Sequence, residues 1–308
     1  MATNEDTILS QYVPGFKANL NLVPQQMTGR LIGAVDADLS YGEAGELFNA
    51  DDIGASDPED VVGRVAPTPD KFLSFTKRVG SFVPYHDAAW LDNVDKARML
   101  EDPANKTMQA LMAGRWRKVD SCIIAAALGT AKERTDQSTY ANRSLPAAQV
   151  VAVNTQTYVH DDETVPAASA DYGMGIGKII EAGVILDASE IEGEKFLALS
   201  AKQMGDLLRS TPVTNQFYND VRALVSGKVS SLLDFSIIRT ERLLKTGSNR
   251  RCLAWKKPAI VYRSRPITNA RISIRTDMSD TPQAFYKTEH GAVRRYDAGV
   301  VEILAKEV

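Results

Sequence analysis

Residues 102–129, DPANKTMQALMAGRWRKVDSCIIAAALG, constrain this chain more than any other stretch. Asp102 is a good helix N-cap, and Pro103 sits at a first-turn position where its missing N–H would have had no partner. Met108, Leu111, Met112, Trp116, Val119, Ile123 and Ala126 recur at spacings of three and four, one face of a helix. Gly129 is placed to end that helix in a left-handed cap. The pattern predicts a helix over 103–128, about 39 Å long at 1.5 Å per residue, where most helices run about 11–12 residues. Arg115, Arg117, Lys118 and Asp120 keep much of the other side polar, so the helix is expected to lie across a sheet. Gly114 costs about 1 kcal/mol against Ala in a helix interior and marks a bend or a close backbone contact.

The chain has 308 residues, room for a large core and one to three domains. Hydrophobic (44%) and charged (24%) shares are ordinary for a globular protein, and a net charge of −3 demands no nucleic-acid or membrane partner by itself. Cys122 and Cys252 are the two cysteines, with no Cys-x-x-Cys, which suits a reducing compartment. The start is acidic and lacks an apolar signal core, and no apolar run approaches the length of a membrane span. The small net charge hides an asymmetry. Residues 1–63 carry eleven carboxylates against Lys17 and Arg30, and residues 239–275 carry eleven cations against Glu241 alone. Such segments can meet within one molecule or between neighbours.

In chain order, Pro14, Gly15, Pro24 and Gly29 break residues 1–35 into pieces that read as an extended arm without a core. Residues 36–70 are acidic and rich in Gly, Asp and Pro, too long for an ordinary connection. Phe72 to Pro84 reads as a strand, and pairing with a strand near Leu47–Ile53 would make a projecting hairpin. Phe48, Phe72, Phe75 and Phe82 would be exposed on it, a costly arrangement unless a partner covers them. His86 to Leu100 reads as a short helix with Trp90, Leu91, Val94 and Met99 inward. Residues 130–147 form a polar loop, and Gln149–Val153 a strand. From Asp171 to about Leu253 the chain reads as a compact α/β lobe. It has a helix with Ile176, Ile179, Ile180 and Val184, a strand at Phe196–Leu199, and a capping box, Ser200 with Gln203, opening a helix. A further helix is capped by Thr214, and a strand spans Val229–Ile238. The remainder is β, with Ile272 and Ile274 alternating and strands at Gln283–His290, Ala292–Tyr296 and Val300–Leu304. The helix at 103–128 is their expected partner surface.

No chemistry emerges from the candidate motifs. Gly173-Met-Gly-Ile-Gly-Lys178 resembles a phosphate loop but has Tyr172 and Ile179 where the Walker pattern needs Gly and Ser or Thr, and Lys178 or Ile180 where a dinucleotide loop needs its third glycine. His160, Asp161, Asp162 and Glu163 are adjacent and unsupported by a His-x-x-x-His pair, so a solvated turn is the better reading. His86, His160 and His290 are scattered, with no triad partner. The sequence therefore predicts no catalytic, cofactor-binding or metal residue and no enzyme. The basic run 239–275 would meet either the acidic arm or a nucleic-acid backbone.

Several runs carry a resemblance: Trp90-Leu-Asp-Asn-Val-Asp-Lys-Ala-Arg-Met-Leu100 followed by Asp102-Pro103; Asp120-Ser-Cys-Ile-Ile-Ala-Ala-Ala-Leu-Gly-Thr130; Phe196-Leu-Ala-Leu-Ser200; Arg251-Cys-Leu-Ala-Trp255; and Ala298-Gly-Val-Val-Glu-Ile-Leu304. Over about 70–304, with the order arm, hairpin, long helix, lobe and returning strands, the chain resembles the major capsid proteins of tailed bacteriophages, of the Hong Kong ninety-seven coat type. The resemblance implies an α+β coat fold with an N-terminal arm at 1–35 and an extended loop at 36–85 lying over a neighbour. A peripheral domain at 86–170 and 255–308 would hold the spine helix 103–128, and an axial domain would span 171–254. It implies self-assembly into pentamers and hexamers of an icosahedral shell around double-stranded DNA, in a virion built in the bacterial host cytoplasm. Portal, separate scaffolding and decoration proteins are the further partners, with no cofactor and no membrane. The short start leaves little room for a fused scaffolding segment. An encapsulin-like nanocompartment shell is the nearest alternative, and a soluble α/β enzyme using the lobe is the other.

Overall fold

In the computed structural model the long helix is α1 (Ala104–Leu128), twenty-five residues. The structure describes residues 25–42, 44–61, 63–64, 68, 70–90, 104–136, 139–155, 172–210, 222, 231–266 and 269–307. Asp102 and Pro103 lie outside them, as do the segments 1–24, 91–103 and 156–171, which include the turn at His160–Glu163. The helix predicted from Thr214 lies outside them as well.

The end of α1 is not closed as the sequence implies. Gly129 has no positive φ. Its N–H donates to the Ala125 carbonyl at 2.8 Å, and a Cβ would come within 2.5 Å of that oxygen. Close approach, not handedness, requires glycine here. The last carbonyls are met by a side chain from far along the chain. Arg294, fully buried, donates to the carbonyls of Ala127 (2.7 Å), Gly129 (2.6 Å) and Arg143 (2.8 Å), and to Asp297 Oδ1 (2.6 Å). A cation at this end also opposes the negative pole of the helix. At Gly114 an added Cβ would meet only ordinary contacts, at 3.6 and 3.7 Å, so no close backbone approach occurs there.

Before α1 come β1 (Asp36–Asp38), β2 (Leu47–Ile53), β3 (Phe75–Ser81) and β4 (Val83–Trp90). After it come β5 (Ala131–Arg134), β6 (Tyr140–Arg143), β7 (Val150–Val151), α2 (Ile176–Asp187), β8 (Lys195–Leu199) and α3 (Ala201–Ser210). The chain ends with β9 (Ser231–Leu232), β10 (Phe235–Arg239), β11 (Lys245–Thr246), β12 (Asn249–Lys256), β13 (Ile260–Ser264), β14 (Asn269–Arg275), β15 (Thr281–Arg294) and β16 (Val300–Lys306). They form three sheets. In the first, β15 pairs β4 along one edge and β14 then β13 along the other, and β1 joins β13 in parallel. In the second, the order is β7-β16-β12-β8-β10-β9, with β11 on β12. The third, β2-β3-β5-β6, is antiparallel. The architecture is α+β, as the sequence implies.

Helix α1 lies on the first sheet, where Leu111 buries against Ala284 and Tyr286, alternate residues of β15. The residues expected to make its other side polar divide: Arg115 and Lys118 lie toward the sheet, near His290 and Tyr85, and the chain ahead of the helix covers Arg117 and Asp120. Asp120 is fully buried and accepts the backbone N–H of Arg30 (3.1 Å) and Leu31 (3.1 Å), and also the Gln26 side chain. Leu31, Ala34 and Val35 enter the main core, and the buried Trp255 donates its indole N–H to the Ala34 carbonyl at 2.8 Å. Leu31, Ala34 and Val35 thus anchor the end of the expected arm on its own subunit.

Other expectations are corrected too. His86–Trp90 is strand β4, paired to β15, while 91–100 lie outside the described residues. The loop at 130–147 contains the β5–β6 hairpin. Where the sequence implies a single strand over 229–238, the described residues from Ser231 onward form the β9–β10 hairpin. Its turn, Leu233-Asp234, has φ of 49° and 67°, a two-residue turn with both central φ positive and no Gly or Asn to announce it. Ile180 and Val184 face outward, and α2 instead buries Ile176, Lys178, Ile179, Ala182 and Leu186. Strands 283–290 and 292–296 are one strand, β15, that rests on α1; β16 lies between β7 and β12 and meets α2 instead.

Asp120→Ala is expected to lower the unfolding free energy by about 3 kcal/mol, since the buried Leu31 N–H and the part-buried Arg30 N–H lose a charged acceptor. Urea denaturation measures it, and limited proteolysis should then cut first near residues 25–31.

Candidate interaction surface

Strands β2 and β3 pair over their full length, from Leu47 opposite Ser81 to Ile53 opposite Phe75. One end is built into the molecule. Phe48 is fully buried, its ring 5.1 Å from that of the buried Phe82, and Tyr41 packs on both. Two glycines make the room. A Cβ on Gly80 would sit 2.2 Å from the Phe48 ring, and one on Gly291 would sit 2.2 Å from the Ser81 carbonyl where β15 crosses the hairpin. Polar contacts complete the base. Asp52 accepts from Arg295 Nε (2.9 Å) and Tyr296 Oη (2.6 Å). Burial alone would raise the Asp52 carboxyl, but those hydrogen bonds outweigh it and hold it below its usual range. Arg78 on β3 meets Asp297 at 2.7 Å. Phe48 and Phe82 are therefore not the exposed aromatics that the sequence implies, and the first 85 residues do not rely wholly on neighbours for cover.

The other end is bare. Phe72 is 93% exposed, Val61 81% and Phe75 77%, with Ile53 directly opposite Phe75 also exposed. Around them the chain is acidic, with Asp57, Glu59 and Asp60; Lys71 reaches back to Glu59 at 2.9 Å and to the Asp57 carbonyl at 2.6 Å. A projecting two-stranded tip with this much uncovered apolar surface marks a protein–protein contact. A second exposed apolar set, Ile272 and Ile274 on β14, lies on the first sheet, with the exposed Trp90, paired to Gln283, on the opposite face.

Among the described residues, most ion pairs of the two charged segments are with other partners. Asp36 meets Arg263 at 3.1 Å, but Asp51 pairs with Lys77 and Asp52 with Arg295. From the basic run, Arg250 and Lys245 converge on Glu307, Arg251 pairs with Glu302, Arg265 with Glu289 and Arg275 with Asp277. Charge could be counted in the sequence, but the partners depend on strand register. Arg250 outweighs the opposing burial and, with Lys245, draws the Glu307 carboxyl down to about 2.

The chemical motifs resolve into structure. Lys178 is fully buried and donates to the carbonyls of Val153 (2.9 Å), Tyr172 (2.9 Å) and Leu304 (2.8 Å), which ties the glycine-rich turn to β16. Such an ammonium is a clasp, with its donors already spent on backbone. His86 is exposed on β4 and His290 buried on β15. Among the described residues no group of three or more His, Cys, Asp or Glu could hold a metal, and no helix is long and apolar enough to cross a membrane. The anchors Asp52, Arg78, Arg294 and Arg295 escaped the sequence reading because nothing local distinguishes them from surface charges.

A family model described as phage capsid protein matches residues 8–307. The fold is similar to the capsid of Ralstonia phage GP4, with a TM-score of 0.73 at 10% identity, covering 97% of this chain and 96% of that one. It is also similar to the capsid of the cyanophage P-SCSP1u, with a TM-score of 0.69, 15% identity and coverage of 98% and 95%. The capsid of a native GTA particle gives 0.65 at 10% identity, covering 96% of each chain. A search of curated proteins gives no match.

Two outcomes follow for the anchors. Asp52→Ala should destabilise the hairpin base by about 2 kcal/mol, the scale of hydrogen bonds to a charged group, read by thermal unfolding and by faster protease cleavage at 47–53. Glu307 has its folded pKa depressed, so its contribution is complete above pH 4.5 and is lost as pH falls toward about 2. Glu307→Gln should flatten the stability profile within that window in acid titrations followed by circular dichroism.

Proposed function

The chain belongs to the phage capsid protein family, and from that premise we propose that its copies close into the pentamers and hexamers of an icosahedral shell around double-stranded DNA. As a capsid protein it is a structural, non-enzymatic component of the virion that associates with itself. The observation that carries the finer reading is the hairpin, rigid at its base and apolar at its uncovered tip. A tip on one patch and a second apolar set on another favour head-to-tail contacts, which make rings when the rotation closes. Many modest contacts then add through symmetry.

In this reading, residues 36–85 are the loop that overlies a neighbour, and 1–35 lead into it as the arm. Residues 86–170 and 255–308 form a peripheral domain around the spine helix, and 171–254 an axial domain near the five-fold and six-fold axes. The second sheet runs through this division, since β7 and β16 join β8, β10 and β12. The expected partners are a portal, a separate scaffolding protein, decoration proteins and the packaged DNA, held by non-specific contacts that weaken with salt. Assembly would take place in the bacterial host cytoplasm. No residue is given a catalytic, cofactor or metal role.

Phe72→Ser with Phe75→Ser should leave subunit stability within about 0.5 kcal/mol, as for exposed positions elsewhere, yet abolish particles in sedimentation velocity and negative-stain images. Normal assembly of that variant would refute the proposed role of the tip. The acidic tip also makes assembly salt-sensitive, because screening shortens to about 3 Å at 1 M. Equal assembly in low and molar salt would refute the electrostatic part. Nucleic acid extracted from native particles supports the DNA shell, whereas a packaged enzyme in its place points to a nanocompartment.

A further inference from the structure

Between α1 and the first sheet lies a buried polar layer. Strand alternation turns Tyr286, Thr288 and His290 of β15 toward the helix, with Tyr85 of β4 opposite Thr288, and Tyr262 of β13 beside Ala292. The helix presents Arg115, Lys118 and Cys122 at spacings of three and four. His290 is fully buried and neither ring nitrogen has a hydrogen-bond partner; Tyr262 Oη, Thr288 Oγ1 and Arg115 Nε share that condition. The imidazole stacks on the Tyr85 ring, with centroids 4.5 Å apart and planes 28° apart, and lies 6.0 Å from the Tyr262 ring. The Lys118 ammonium sits 4.7 Å from the Tyr85 centroid.

We propose that His290 is an acid-operated latch on the long helix: as a neutral imidazole it lets α1 seat on the sheet, and as an imidazolium it drives α1 off. The groups around it decide the direction. From α1 come Arg115, Lys118 and Cys122, with Asp120 already taken by the N–H groups of Arg30 and Leu31. From β4 come Tyr85 and Asp87, whose Oδ1 accepts the Ala88 N–H. From β13 come Tyr262 and Arg263, the latter turned to Asp36. From β15 come Tyr286 and Glu289, the latter held by Arg265. Among the described residues no carboxylate bonds the ring, two cations lie on the facing helix, and the ring itself is fully buried, while Lys118 at the margin reaches solvent. A new charge there would be desolvated and repelled.

Burial first, then Arg115 and Lys118, push the His290 pKa from 6.5 down to about 4. The unfolded or unseated state therefore binds more protons between pH 6.5 and about 4. Seating is complete above 6.5 and weakens as pH falls through that window. The Glu307 window lies lower, so the two can be told apart. The inference needs only the helix–sheet contact and stands apart from the shell reading.

The full-length chain with ¹³C-labelled histidine tests it by NMR. His86→Gln with His160→Gln leaves one signal, which should titrate well below pH 6; a midpoint near 6.5 overturns the proposal. Hydrogen exchange by mass spectrometry, corrected for intrinsic pH effects, then compares pH 7 with pH 5. Peptides of α1 should lose protection on the order of twentyfold relative to α2, and His290→Gln should remove most of that loss. An equal loss in His290→Gln, or none in the wild type, overturns it. Should His290→Gln fail to fold, the NMR titration decides alone.

Discussion

A buried guanidinium holds the frame of this molecule together. Arg294, on the strand beneath α1, satisfies the carbonyls of Ala127 and Gly129 at the end of the helix and that of Arg143 at the end of β6. Its Nε then meets Asp297, whose second oxygen meets Arg78 on β3. One chain of contacts therefore runs from the helix end to the hairpin base. A buried charge is tolerated only when its bonds are filled, and here they tie the end of α1, the end of β6 and the turn at Asp297. The position of the hairpin is thereby set by the same residue that ends the helix.

This frame explains the division of the first 90 residues. Residues 25–35 close over the Asp120 side of α1, because Asp120 supplies the acceptor that the Arg30 and Leu31 N–H groups need. The base of the hairpin packs Phe48 and Phe82 into space kept open by Gly80 and Gly291. Beyond Ile53 the described residues of the hairpin add nothing to the core, the Lys71–Glu59 pair lies within the tip itself, and Phe72 and Phe75 stand in solvent. A rigid root holds an unsatisfied tip at a fixed angle, which lowers the entropy lost when a neighbour binds it.

Much of this was legible in the sequence where a local rule decides the outcome. The helix followed from spacing, β2, β8 and β16 from short apolar runs, and the family from quoted stretches around α1 and the C-terminus. The exposed Phe72 and Phe75 were legible too. What failed to show depended on contacts distant along the chain. Asp120 reads as a surface charge until residues 90 positions away reach it, and Arg294 does so until α1 ends beside it, 167 positions away. The Leu233-Asp234 turn carries no glycine, so an alternating run concealed a hairpin. Phe48 reads as exposed because its cover, Tyr41, Phe82 and the sheet crossing at Gly291, is assembled from separate parts of the chain. His86 reads as a helix start because the pairing of β4 with β15 cannot be seen locally.

Backbone hydrogen exchange, measured on assembled particles and on dissociated subunits, tests the central claim most directly. A rooted hairpin with a tip covered by its neighbour predicts that residues 53–75 become protected only in the particle, while 47–52 and 76–82 exchange alike in both states. Equal exchange at the tip in particle and subunit would contradict it.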